Sequence, residues 1–367
     1  MATLRNGVPL LILLVATAFF AATVAGDEDT AIAAPVPPQA ETMSWDQYLE
    51  FTKAQQDSMS VQDTTVGVMA APAKGWTIVV GKGGKYKTIQ QAINSIPKGN
   101  LKRVTIYIKN GVYRQKLLLK DRHNVYFKCE SRKVVITWGD TAEKAGGTSK
   151  SASTAIESDG FIASDCTFVN SAPAPPGGAV GKQAVALRIQ GDKGAFYRCG
   201  FYGAQDTLYD KEGRHYFRSC DIIGSIDYVF GDGQSIYQFC NLKSIAKGFS
   251  GSITAQKRES NSKTGFVFYR CTISGTGTIY LGRAWGTHSR VVFIECSMAN
   301  MIRPIGWQDW NDPKRQKTVF YAEYKCSGPG ANRKGRAPWS KVLTKAQADM
   351  FTNYNFIGGK TWLFEKV

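Results

Sequence analysis

The chain has 367 residues, of which 43% are hydrophobic, 20% charged and 37 glycine; this is a globular composition that excludes a disordered or collagen-like chain and leaves room for one large domain or two ordinary ones. Its 46 Lys and Arg stand against 29 Asp and Glu, a formal charge of +17. That charge admits nucleic acid, an anionic membrane or an acidic polymer as partner and by itself does not choose among them.

Residues 1–25 read as a signal peptide. Arg5 is their only charge, an apolar run extends from Val8 to Val24, and small residues gather around a cleavage site near Ala25. A signal anchor competes, because the run is almost long enough to span a bilayer; the small residues at its end and the lack of a flanking basic cluster favour cleavage. Residues 26–74 read as an acidic linker or weakly ordered arm, with eight acids against two lysines, many Ala, Pro and Gln, and no strand patterning. A short helix is expected in it around Trp45 to Ala54. The remaining domain, residues 75–367, holds 43 basic and 21 acidic residues, a balance of +22.

Near the start of that domain, Thr88-Ile-Gln-Gln91-Ala-Ile93-Asn-Ser-Ile96-Pro97 combines a capping-box Thr and Gln with an apolar stripe and a terminating Pro. It predicts a short helix that closes one end of the domain. Beyond it, seven of the eight cysteines share a frame. Phe-Tyr-Arg-Cys199-Gly-Phe-Tyr-Gly, Phe-Arg-Ser-Cys220-Asp-Ile-Ile-Gly and Phe-Tyr-Arg-Cys271-Thr-Ile-Ser-Gly illustrate it, and Cys129, Cys166, Cys240 and Cys296 occupy the same place. Successive members are separated by 37, 33, 21, 20, 31 and 25 residues. Such a period with variable insertions implies a solenoid whose coils bury their apolar face by stacking. Each unit is a β-branched and aromatic strand ended by a turn residue, and the coils are shorter than the roughly 30 residues of a βαβ unit. The expected architecture is therefore all-β, a parallel β-helix with short capping helices. At Thr344 to Phe351 a second helix is expected to cover the last coils.

The shared frame reads most simply as an internal ladder of small apolar side chains. Adjacent rungs lie within disulfide range, so a bridge is compatible with the pattern but not required by it. Metal binding finds no support: there is no CxxC pair, and the histidines are His123, His215 and His288 alone.

Two carboxylates share one phase of the repeat. Asp206 lies seven residues after Cys199 and Asp227 seven after Cys220, so both are expected to point from adjacent coils into one patch. Carboxylates that close repel, which pushes one pKa up and divides them into proton donor and anion. The competing reading, that each Asp merely serves its own turn, weakens when two share a phase within aromatic segments. Lys247 falls at the same phase one coil later and reads as a charge partner or a surface residue. Gln183 and Gln205 supply amide donors for a developing oxyanion, worth roughly 3–4 kcal/mol each in acyl transfer. Arg283 could hold one carboxylate in place, and Trp285 could stack on a sugar.

At Gln183-Ala-Val-Ala-Leu, Gly203-Ala-Gln205-Asp206-Thr-Leu-Tyr, Gly213-Arg-His-Tyr-Phe, Ile226-Asp227-Tyr-Val-Phe-Gly and Leu281-Gly-Arg283-Ala-Trp285-Gly, the chain closely resembles the plant pectin methylesterases, or pectinesterases. The segments occur in family order across about residues 75–365. The resemblance implies a right-handed parallel β-helix and a secreted cell-wall enzyme that removes methyl groups from the C6 esters of galacturonosyl units. It implies Asp227 as nucleophile, Asp206 as general acid and base, Gln183 and Gln205 as the oxyanion hole, Arg283 as the residue orienting Asp227, and Thr148, Gln183, Arg283 and Trp285 as substrate contacts. It implies methyl-esterified homogalacturonan as substrate, with a proteinaceous pectin methylesterase inhibitor as a candidate partner; the chemistry needs no cofactor, the sequence shows no metal site, a secreted chain with this constellation gives nucleic acid little support, and a monomer is expected. Where the family usually has Gly-x-Tyr-x-Glu, this chain has Gly111-Val-Tyr113-Arg-Gln115, which puts local stability in question. About 50 residues precede the domain after the leader, too few for the helical inhibitor-like region of many relatives, so the chain resembles the short type. Other readings of the same features are weaker. A polygalacturonase would use two carboxylates but usually adds a Gly-His-Gly site, which is absent. A serine esterase lacks its G-x-S-x-G. A silent wall-binding module would not need the full constellation.

Overall fold

In the coils from Cys166 to Cys296, a strand is followed by a corner and a second strand that opens at or just after a ladder cysteine. The computed structural model describes residues 75–175, 179–248 and 251–363; the expected leader, the expected acidic arm, the helix expected around Trp45 and their boundaries lie outside the described residues. Three sheets of 11, 8 and 8 strands run the length of the domain, and every pairing between named strands is parallel. Each of eight coils contributes one strand to each sheet, and the long sheet has three further strands, Trp76–Val80, Phe320–Tyr324 and Lys341–Val342. One coil, for example, supplies Gly194–Tyr197 to the long sheet, Gly200–Tyr202 to the second and Leu208–Asp210 to the third. The next coil begins at Arg214–Arg218, stacked in register on the first. The fold is an all-β parallel β-helix, as the repeat predicted.

Inward-facing residues of equivalent coils stack on one another. Phe196, Phe217, Tyr237, Phe268 and Phe293 form one aromatic column with ring centroids 4.5 to 4.8 Å apart, which is the spacing of hydrogen-bonded strands. The cysteines form another column, and their buried thiols donate to carbonyls of the preceding coil, as Cys271 does to Tyr237 at 3.3 Å. Cys129 and Cys166 at its start form a disulfide, with Cα atoms 5.2 Å apart; the other six are free. Cys326, outside the sequence frame, completes the column, its thiol directed at the Phe293 carbonyl.

The first helix forms at Ile89–Asn94, with the capping box of Thr88 and Gln91 in place and Ile89, Ala92, Ile93 and Ile96 buried. The second, Lys345–Thr352, departs from expectation. Its Phe351 packs beside Phe320 on the outer face of the long sheet, among Tyr216, Ile236, Val267 and Val292, instead of covering the end of the solenoid. The interior of the last coil is closed by an ion pair. Glu323 stands where the aromatic column would place its next ring, and Arg336 grips it with two nitrogens, at 2.9 and 3.0 Å.

Candidate active site

Asp206 and Asp227 sit at the corner that leads into the third sheet. Both have the left-handed backbone conformation, φ 62° and 50°, which Asp tolerates better than most residues. Gln205 pairs with Ile226, and Leu208 with Val229, so the two Asp occupy equivalent places in adjacent coils, as the shared phase predicted. The left-handed backbone places both residues in turns, and their equivalent positions bring the two side chains together.

The residue stacked on Asp227 in the following coil is Ser252, since Val229 pairs with Thr254. Lys247 does not share this phase and lies exposed. Residues inserted before the strand Gly251–Gln256 shift the count. The Ser252 hydroxyl donates to Asp227 Oδ1, and the Asp227 backbone N–H donates to Ser252 Oγ at 3.1 Å. Arg283 completes the grip, with Nε donating to Oδ1 at 3.0 Å and Nη2 to Oδ2. Its guanidinium lies over the Trp310 ring, 4.5 Å from the centroid. A bidentate arginine fixes both the charge and the rotamer of a carboxylate.

Asp206 is in the opposite situation. It is 9% exposed, and its carboxyl is pushed well above the usual range first by burial and then by the neighbouring Asp227 carboxylate, with Arg283 opposing. Burial and a like charge both disfavour the anion. The two therefore stand in unlike settings: Asp206 buried with its pKa raised, and Asp227 held in place by Arg283 and Ser252.

Both line a cleft of about 480 Å³ together with Thr148, Ser149, Gln183, Gln205, Tyr209, Phe230, Ala255, Lys257, Arg283, Trp285 and Trp310. Every residue expected at the site therefore borders one cleft. Thr148 enters from the 3-10 helix Thr148–Ser151. Gln183 lies just before the strand Leu187–Ile189. The floor is an outward-facing row of the third sheet in which Tyr209, Phe230, Ala255 and Arg283 stand side by side; Tyr209 and Phe230 stack at 4.2 Å. Alternation along short strands could have flagged Tyr209 and Phe230. Ser252, Lys257 and Trp310 carried no such signal. Among the described residues no group of three His, Cys, Asp or Glu side chains is placed to hold a metal ion.

Residues 77–360 match the family described as Pectinesterase. The chain belongs to the pectinesterase family. Pectinesterase QRT1 of Arabidopsis thaliana is 46% identical over 299 residues, 78% of either chain. Putative pectinesterase 14 of the same plant is 43% identical over 300 residues, 80% of this chain and 90% of its own. Among solved structures, the pectin methylesterase from carrot superposes with a TM-score of 0.74 at 35% identity, covering 80% of this chain and 97% of its own. A pectin methylesterase in complex with a hexasaccharide superposes with a TM-score of 0.66 at 29% identity, covering 78% of this chain and 98% of its own. As a pectinesterase the chain is an enzyme of pectin demethylesterification.

Proposed function

We propose that residues 75–367 form the catalytic domain and hydrolyse the C6 methyl esters of pectin through an acyl-enzyme on Asp227. The observation that carries this reading is the geometry of the pair, Asp227 clamped by Arg283 and Ser252 beside a buried Asp206. The Asp227 carboxylate attacks the ester carbonyl, and the charge that develops on the carbonyl oxygen is met by amide N–H groups of Gln183 and Gln205. As the C–O bond breaks, the Asp206 proton passes to the departing methoxy oxygen, which leaves as methanol. The resulting anhydride is opened by a water whose proton goes to the Asp206 carboxylate. Asp227 departs as its carboxylate, the new galacturonic acid releases its proton to solvent and remains as a carboxylate, and both Asp return to their starting states. Tyr209, Phe230 and Trp285 offer apolar faces for the sugar rings. The plant relatives support a cell-wall location, which agrees with residues 1–25 as a leader for secretion.

The test is simultaneous titration of methanol and new carboxylates from highly methylated pectin, with polymer length followed by viscosity. Equal release of both with unchanged length is expected. Shortened chains would indicate glycoside cleavage instead. Asp227→Ala should abolish release while retaining the β-sheet circular dichroism of the parent, and full activity in that variant would sink the mechanism.

A further inference from the structure

Lys257 is the charged cleft residue to which neither the mechanism nor an ion pair gives a task. It follows the strand Gly251–Gln256, and its backbone N–H donates to the Gly231 carbonyl at 2.7 Å. The chain on either side is firmly held. Gln256 Oε1 accepts the N–H groups of Arg258 at 3.1 Å and Arg290 at 2.8 Å. Gly286 approaches so closely that a Cβ there would meet the Arg258 carbonyl oxygen at 2.3 Å. Between these fixed points the ammonium rests over the Trp285 ring, 4.7 Å from its centroid, on the wall of the cleft. The other cation of that wall, Arg283, is committed to Asp227, whereas no carboxylate of the described residues pairs with Lys257.

A half-buried ammonium on an aromatic ring is poised for an anion. A methyl ester offers it only a neutral carbonyl, whereas a free galacturonate offers a full charge and two acceptor oxygens. Each turnover converts the first into the second within the same polymer. We infer that Lys257 is a specificity-determining residue that binds the free carboxylate of an already de-esterified galacturonosyl unit next to the unit being hydrolysed. This rests on the reading above, that pectin lies in this cleft. Its consequence is that hydrolysis favours esters adjacent to existing free acids, so that demethylation spreads from acidic runs. The Lys257 stem also covers Trp285, and a purely packing role would affect all pectins alike.

The experiment compares wild type, Lys257→Met and Lys257→Arg in methanol release from highly methylated pectin and from the same pectin randomly de-esterified by alkali to about half. Wild type is expected to show the higher kcat/KM per ester on the half-esterified material. Lys257→Met should reduce that preference about fivefold, chiefly through KM, and Lys257→Arg should largely restore it. Polygalacturonate should inhibit wild type more strongly than Lys257→Met. If Lys257→Met fails to fold, Lys257→Gln reads the same ratio. Equal losses on both pectins, or an unchanged ratio, would overturn the inference and leave Lys257 as a packing residue. Absence of methanol release by wild type from either pectin would overturn the proposed function itself.

Discussion

Asp206 is a carboxyl that folding keeps protonated, and this has a thermodynamic consequence apart from catalysis. Its folded pKa is raised, so above the ordinary carboxylate range the unfolded chain releases a proton that the folded chain retains. Stability contributed by this residue is therefore greatest at acid pH and declines as pH rises towards the folded pKa. Asp206→Asn removes the effect. Thermal melts should show the variant more stable than wild type at neutral pH, with the difference fading near pH 3.5, while activity falls by about 10² to 10⁴ for loss of a general acid. Ser252 is a positioning residue. Ser252→Ala removes a charge-assisted hydrogen bond to Asp227 while leaving the Arg283 fork, and kcat should fall about tenfold with a smaller change in KM. The two Asp were legible because no insertion separates either from its cysteine. Ser252 was hidden because it follows Cys240 by 12 residues, where Asp227 follows Cys220 by seven, and counting along the chain cannot show where extra residues bulge out.

At the scale of strands and helices, the repeat was read from its cysteines, but the corner that makes the repeat possible was not. The residue before each cysteine from Cys166 to Cys326 has φ between 46° and 58°, and its identity runs through Asp165, Arg198, Ser219, Phe239, Arg270, Glu295 and Lys325. No Gly or Asn marks it, since stacking of the coils imposes a conformation that local preference would not choose. Helix Lys345–Thr352 was placed correctly in sequence and wrongly in space, because an amphipathic pattern identifies a buried face but not the surface that buries it. Gln115 resolves the question raised by the missing Glu. Its Oε1 accepts the N–H groups of Ile89 at 3.0 Å and Gln90 at 3.3 Å, so the acceptor is kept and only the charge is lost. Urea unfolding should show Gln115→Ala less stable by about 1–2 kcal/mol, and Gln115→Glu more stable by about 0.5 kcal/mol through its charge near the helix N-terminus. The Gly213-Arg-His-Tyr-Phe segment has a structural account as well. His215 is fully buried, with Nδ1 2.5 Å from Asp210 Oδ1 and Nε2 2.9 Å from the Gly191 carbonyl, and Tyr237 donates to the other Asp210 oxygen at 2.6 Å. His215→Ala leaves a buried carboxylate without a main partner and should cost about 3–5 kcal/mol in the same assay.

For the molecule as a whole, the charge of +17 understates what the substrate meets, because residues 75–367 carry +22 and the acidic excess lies before them. Folding uses part of that positive charge internally. Arg132 is paired with Asp221, Arg188 with Glu157, Arg214 with Asp192 and Arg336 with Glu323, and such pairs contribute little to the field at a distance. The remaining excess acts on a polymer that becomes more anionic with every ester hydrolysed, so attraction should grow as the reaction proceeds. Raising salt from about 0.1 M to about 1 M shortens the Debye length from about 10 Å to about 3 Å, which screens this long-range field but scarcely affects the partly buried grip of Arg283 on Asp227. Across that range the enzyme should elute from immobilised polygalacturonate, and the apparent KM on half-esterified pectin should rise severalfold, with kcat changing by less than a factor of two. A KM that does not move with salt would show that the cationic surface plays no part in holding the substrate. A fall in kcat of the same size as the rise in KM would show instead that salt reaches the catalytic pair.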